Sequence, residues 1–274
     1  MAGMSDFVLH FDKSAFKQLD RFAQLACQVY NLGDDTQWFN TFRSGLNGFY
    51  LRLYGVATHY QDVHTWIPRV RHPFETEYHM TSVLFNMDSS LECLVFALNA
   101  LGYAAAPHGF RSVTDRKELQ HVLPRDIIGT VKENGIRDQL LGYEKVFPTI
   151  RKYWMEKRAL IDAICELHDV SKHRQTIYMG GKKSTDPPPG FYERLGVAGK
   201  RDQEWCYWPD AEIILRDDPK APEVNRSPDK RKDWATLEEL AEEFIRFVNQ
   251  TGLLALGDAT SNIQLPHREF LRGS

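Results

Sequence analysis

The chain lacks most of the marks that assign a protein to a class at sight. Its four cysteines, Cys27, Cys93, Cys165 and Cys206, stand far apart with no C-x-x-C pair, which excludes a zinc ribbon or dithiol redox motif and argues for reduced, structural thiols. No apolar run reaches the roughly 18 residues of a bilayer span, and no charged-then-apolar leader opens the sequence. The expectation is a cytoplasmic protein with no membrane partner. Neither sign of charge dominates: 34 basic against 37 acidic residues give a net charge of −3, so there is no global basic footprint for nucleic acid. The patterns G-x-S-x-G, H-E-x-x-H, P-loop and G-x-G-x-x-G are missing, and with them the common hydrolase, zincin and nucleotide fingerprints. No cofactor is expected.

What is present is helical periodicity. Ala15, Leu19, Phe22, Ala26 and Val29 recur at steps of three and four, which predicts an amphipathic helix over 12–30. A second follows from Thr36 through Phe39, Phe42, Leu46, Phe49, Leu53 and Tyr60, and the short connection makes the two antiparallel neighbours. Gly45, Gly48 and Gly55 interrupt that helix and point to a close helix approach or a bend. The cleanest stripe is Met80, Leu84, Met87, Leu91, Leu94, Leu98 and Leu101, which predicts a central core helix over 75–101, ended by Gly102. Beside it Asp88, Glu92 and Asn99 either edge the core in water or hold a cation or an arginine. Short helical pieces at 115–123 and 126–133 precede a long helix over 148–173, with Pro148 in its first turn.

Breakers such as Gly180-Gly181 and Pro187-Pro-Pro189 then interrupt the helical pattern. Residues 204–208 and 211–216 flank Pro209-Asp210 and read as a short β-hairpin. Thr236-Leu-Glu-Glu239 has the form of a capping box opening a last helix. The expected architecture is mainly α: an antiparallel bundle of four or more long helices over 1–175, an insertion with a small β-hairpin over 176–233, a C-terminal helix over 234–257 packing back on the bundle, and a tail over 258–274.

The densest chemistry lies in Arg158–Arg174. At 100° per residue, Arg158, Asp162, Glu166, Asp169 and His173 share about 80° of one face, opposite Leu160, Ile164 and Leu167. That is a polar stripe of the kind solvated helices carry. His168 stands about 140° from His173, on the flank of the apolar face.

His168-Asp169-Val-Ser-Lys-His173 resembles the Arg-(Asn/Asp)-x-x-x-His motif of HEPN domains, which are helical bundles, commonly dimeric, and often metal-independent RNases or RNA- or nucleotide-binding modules. The resemblance implies a homodimer that binds RNA, nucleotide or another phosphate-bearing ligand. It makes His173 the general base or acid and Asp169 its polar companion. His168 replaces the motif's arginine, and histidine opposes phosphate charge only when protonated; Arg174 or Arg158 would then substitute for it, and the protein would be a degenerate RNase.

Leu167-His168-Asp169-Val-Ser-Lys172 is also similar to the Leu-His-Asp-Ile-Gly-Lys signature of HD-domain metal phosphohydrolases, in which a vicinal His-Asp pair helps hold a divalent cation. The upstream histidine and downstream aspartate that such a site needs have no well-placed equivalents. His59 and His64 stand near the end of the second helix and His72 and His79 flank the start of the third; together they could meet at one end of a bundle and bind metal. A third class, a non-enzymatic protein-interaction scaffold, follows from the missing fingerprints.

Overall fold

Nine α-helices form among the described residues because the periodic segments bury the faces that their spacing defines. The structure is a computed structural model and describes residues 9–30, 36–66, 75–129, 137–173, 177–180, 206–207, 212–215 and 236–264. Helix α1 is Ser14–Tyr30, α2 is Gln37–His64 and α3 is Glu75–Ala105. Two single-turn helices, α4 (Arg116–Leu119) and α5 (Arg125–Ile128), lead to α6 (Arg137–Val146), α7 (Pro148–Glu156) and α8 (Arg158–His173), and α9 (Leu237–Asn262) comes last. All seven stripe residues of α3 are fully buried. By length and composition α3 could cross a bilayer, which amends the reading that no segment could; 61% of its apolar window is buried within the protein, as in any core helix.

The chain divides into two compact units, and all but the first of their boundaries fall inside helices. The first unit holds residues 1–10, 53–88 and 162–245. Leu53, Val56, Tyr60, Met80, Val83, Leu84, Met87 and Ile164 are buried there, with Leu237, Leu240 and Phe244 from the start of α9. That helix opens with the expected capping box: the Glu239 N–H donates to Thr236 Oγ1 at 3.2 Å, and the Thr236 N–H to Glu239 Oε2 at 3.3 Å.

Four short strands belong to this unit. The two strand segments around Pro209 form, as β3 (Cys206–Tyr207) and β4 (Glu212–Leu215), but they are not a hairpin. β3 pairs antiparallel with β1 (Thr65–Trp66), and β4 with β2 (Ile177–Gly180). Each of these strands thus pairs with a segment distant in the sequence.

The second unit holds 11–52, 89–161 and 246–274. Asp12 caps α1, its Oδ1 accepting the Ser14 N–H at 2.8 Å. The rings of Phe16 and Phe49 lie 4.9 Å apart, and Phe11 sets its edge on Phe49 at 5.7 Å. Gly45 and Gly48 permit a close approach of α2 and α3: a Cβ on Gly45 would stand 2.8 Å from the Ala97 N and 2.9 Å from the Cys93 O. Gly102 does not end α3, which continues to Ala105; its hydrogen faces the Phe110 ring, where any Cβ would collide.

The single helix expected over 148–173 is two, because Lys157 leaves helical geometry at φ −99°, ψ 16° and its N–H closes the end of α7 on Tyr153 O. The Thr149 and Ile150 N–H groups donate to Asp258 Oδ2, both at 3.0 Å, so α9 caps the start of α7 where Phe147 offers no side-chain cap. Asp258 can do so only because α9 runs past Gly257 to Asn262. Helix α6, which no strong stripe announces, buries Tyr143 and Val146.

A buried fork closes this unit. Arg111 Nε and Nη2 donate to Asp126 Oδ2 and Oδ1 at 2.8 and 2.9 Å. Asn99 holds the Arg111 backbone from both sides, at 2.9 and 3.0 Å. Hydrogen bonding to Asp126 holds the Arg111 guanidinium above its ordinary pKa, and burial pushes the Tyr143 phenol well above its own.

Candidate functional site

His168 continues the buried row of Leu160, Ile161 and Ile164 on α8. Its Nδ1–H donates to Asp88 Oδ2 at 2.6 Å, and its ring sets an edge against Phe85 at 5.2 Å. The Cys165 thiol, one turn earlier, donates to the other oxygen, Asp88 Oδ1, at 3.1 Å. Asp88 thus meets an imidazole and a thiol. Asp169 is exposed. Successive residues on a helix diverge by about 100°, so the vicinal pair His168 and Asp169 faces two different surroundings. The side chain of His173 and all of Arg174 lie outside the described residues.

A second cluster forms in the same unit where α2 ends and α3 begins. His59 and Asp62 are three residues apart on α2, a spacing that puts both on one face. Their partner is His79 of α3: the two Nδ1 atoms lie 2.9 Å apart, and Asp62 Oδ2 is 3.5 Å from His79 Nδ1. The other ring nitrogen of His79 faces Glu75 Oε1 at 3.9 Å. Tyr78, which is exposed, turns its ring edge-on to His59. The expectation that these histidines meet thus holds for His59 and His79. The side chain of His64 and all of His72 lie outside the described residues.

The third site lies in the second unit. Lys17, Asp20, Arg21 and Gln24 form a polar stripe on α1 beside its buried one, and Arg43, Asn47 and Tyr50 repeat the spacing on α2. Together they line a cleft of about 320 Å³. Asp20 Oδ1 sits 3.6 Å from Arg43 Nε, too far for a hydrogen bond. That oxygen and the Tyr50 hydroxyl are both buried without a hydrogen-bond partner. Burial, reinforced by the charge of Asp20, pushes the Tyr50 pKa up to about 12.

No family model, curated protein or solved structure matches the chain. Function must therefore be read from these three arrangements.

They differ in what they leave to do. The carboxylate of Asp88 is engaged by two donors from α8, an arrangement that fixes one helix on another. The cleft, by contrast, offers a donor and an acceptor with no hydrogen-bond partner, among cations. Sequence reasoning passed over it. The signal was there in the basic pair Lys17 and Arg21, one turn apart, but its meaning depends on which face of α2 lies opposite.

Proposed function

We propose that the protein binds a phosphate-bearing ligand, a nucleotide or the end of an RNA strand, in the cleft between α1 and α2. The observation that carries this reading is the pair of buried atoms without a hydrogen bond, the Tyr50 hydroxyl and Asp20 Oδ1, among Lys17, Arg21 and Arg43. A nucleotide answers both. Its phosphate accepts from the phenol, which stays protonated far above neutral pH, and from guanidinium forks that match phosphate geometry; a ribose hydroxyl donates to Asp20. The cleft volume, near the lower end of small-molecule sites at roughly 300 Å³, suits a phosphate with its sugar and excludes a duplex.

This reading keeps the ligand class that the HEPN resemblance implies, together with a helical bundle and a homodimer. It moves the contact away from His168, Asp169, His173 and Arg174, since His168 is held by Asp88.

Equilibrium binding of inorganic phosphate, a nucleoside monophosphate and a single-stranded RNA oligomer at low salt tests it. The monophosphate is expected to bind, with Lys17→Glu and Arg21→Glu each weakening it by about tenfold or more, the worth of one charge-assisted hydrogen bond. Tyr50→Phe should weaken it by a smaller factor, and His173→Ala should leave it unchanged. RNA binding no tighter than the monophosphate would make the nucleotide the ligand; tighter binding, with a steeper salt dependence, would make it RNA. Absence of binding by all three probes, or undiminished binding by Arg21→Glu, would overturn the proposal.

A further inference from the structure

His59, Asp62 and His79 bring two imidazole nitrogens and a carboxylate oxygen to one point, all within 4.8 Å of one another. We propose that these three side chains form a binding site for a divalent first-row transition ion, with Glu75 orienting His79 from behind.

The distances are those of ligand edges. Around an ion with bonds of about 2.0–2.2 Å, two ligands 2.9 Å apart subtend an angle of about 90°, and two 3.5 Å apart an angle of about 120°. The observed separations of 2.9 Å between the histidines and 3.5 Å from His79 to Asp62 fall in that span. The remaining edge, His59 to Asp62, lies within the 4.8 Å that spans the group. Imidazole with a single carboxylate suits zinc, iron, nickel or copper, whereas magnesium and calcium favour all-oxygen sets.

The surroundings of His79 supply an independent observation. A metal-bound histidine typically gives its second N–H to a carboxylate, which fixes the tautomer and leaves the ligating nitrogen unprotonated. Glu75, one turn before His79 on α3, sets its carboxylate 3.9 Å from Nε2, an electrostatic contact that favours the proton there and not a hydrogen bond, while Nδ1 faces His59 and Asp62. With the proton on Nε2, the Nδ1 lone pair points at the cluster. Half-burial of His59 and His79 excludes much of the competing water, and Tyr78 packs on the His59 ring. Three protein ligands leave a coordination position for water or a small ligand, as catalytic zinc sites do and closed structural sites do not.

The test is equilibrium dialysis of the full chain against Zn²⁺ and Co²⁺, with metal content read by elemental mass spectrometry and the Co²⁺ complex by its absorption. The wild type should retain about one equivalent per chain. His59→Ala and Asp62→Asn should lose it, and Glu75→Gln should weaken it by a smaller factor, as removal of a nearby negative charge does. His121→Ala, at an exposed histidine of the second unit, serves as the control and should bind as the wild type. Should His79→Ala fail to fold, the exposed-side variant Asp62→Asn still decides. Less than about a tenth of an equivalent in the wild type, or uptake unchanged in His59→Ala, would overturn the site. Phosphate-ligand binding by His59→Ala should match the wild type, so failure of one proposal is separable from failure of the other.

Discussion

His168 of α8 and Asp88 of α3 meet through a 2.6 Å hydrogen bond, although 80 residues separate them in the chain, and both are buried. The same carboxylate accepts from Cys165, so one acidic side chain serves two donors of one helix. Replacing Asp88 by Ala strands both donors in the interior and should cost about 3 kcal/mol. Asp88→Asn keeps an acceptor and should cost less. Urea denaturation of Asp88→Ala, His168→Ala and the double variant gives the coupling, which should exceed about 1 kcal/mol. Strictly additive losses would show that the bond does not hold α8 to α3.

Gly45 faces backbone, not the end of a flexible side chain. A Cβ at this position would press on the Ala97 N and the Cys93 O at 2.8 and 2.9 Å, and neither can give without moving α3. Gly45→Ala should therefore destabilise the protein by about 1–3 kcal/mol, although Ala at an exposed helical position normally stabilises by about 1 kcal/mol relative to Gly. A stabilised Gly45→Ala protein in thermal denaturation would contradict the close approach of the two helices.

Alkali should destabilise the fold through its buried phenols. Burial raises the Tyr50 pKa from its ordinary value of 10.0 to about 12, and holds that of Tyr143 well above the same value. A raised folded-state pKa means that the protonated phenol is favoured in the native state. Its contribution is fully present below pH 10 and is lost as pH rises through about 12. Urea midpoints across this window should fall more steeply for wild type than for Tyr50→Phe, and least for Tyr50→Phe with Tyr143→Phe. Parallel curves for all three would sink the prediction.

Much of the helical content was legible because helix formation writes itself locally. The stripe from Met80 to Leu101 gave α3 its core face, and every member is buried. Thr236 and Glu239 announced the start of α9 because both halves of a capping box lie within four residues. The angular separation of His168 from His173 likewise needed only the helical repeat, and it placed His168 on the core flank where the structure finds it. Local rules failed where a residue's role depends on a distant neighbour. Gly102 looked like a stop, yet it is a notch for the Phe110 ring. The segments on either side of Pro209 looked like partners, yet β3 pairs with β1 and β4 with β2.

The candidate sites follow the same division. Sequence alone determined that His59 and Asp62 share a face of α2, that Lys17 and Arg21 share a face of α1, and that Asp88 lies beside the core stripe of α3. Only the tertiary structure decided that His79 completes the first group, that Arg43 and Tyr50 complete the second, and that His168 claims Asp88. The physical reason is that the 3.6-residue repeat fixes the direction of each side chain from its own helix. The register between helices is set by how closely their surfaces pack, at contacts such as Gly45 against Ala97, and no single segment encodes it.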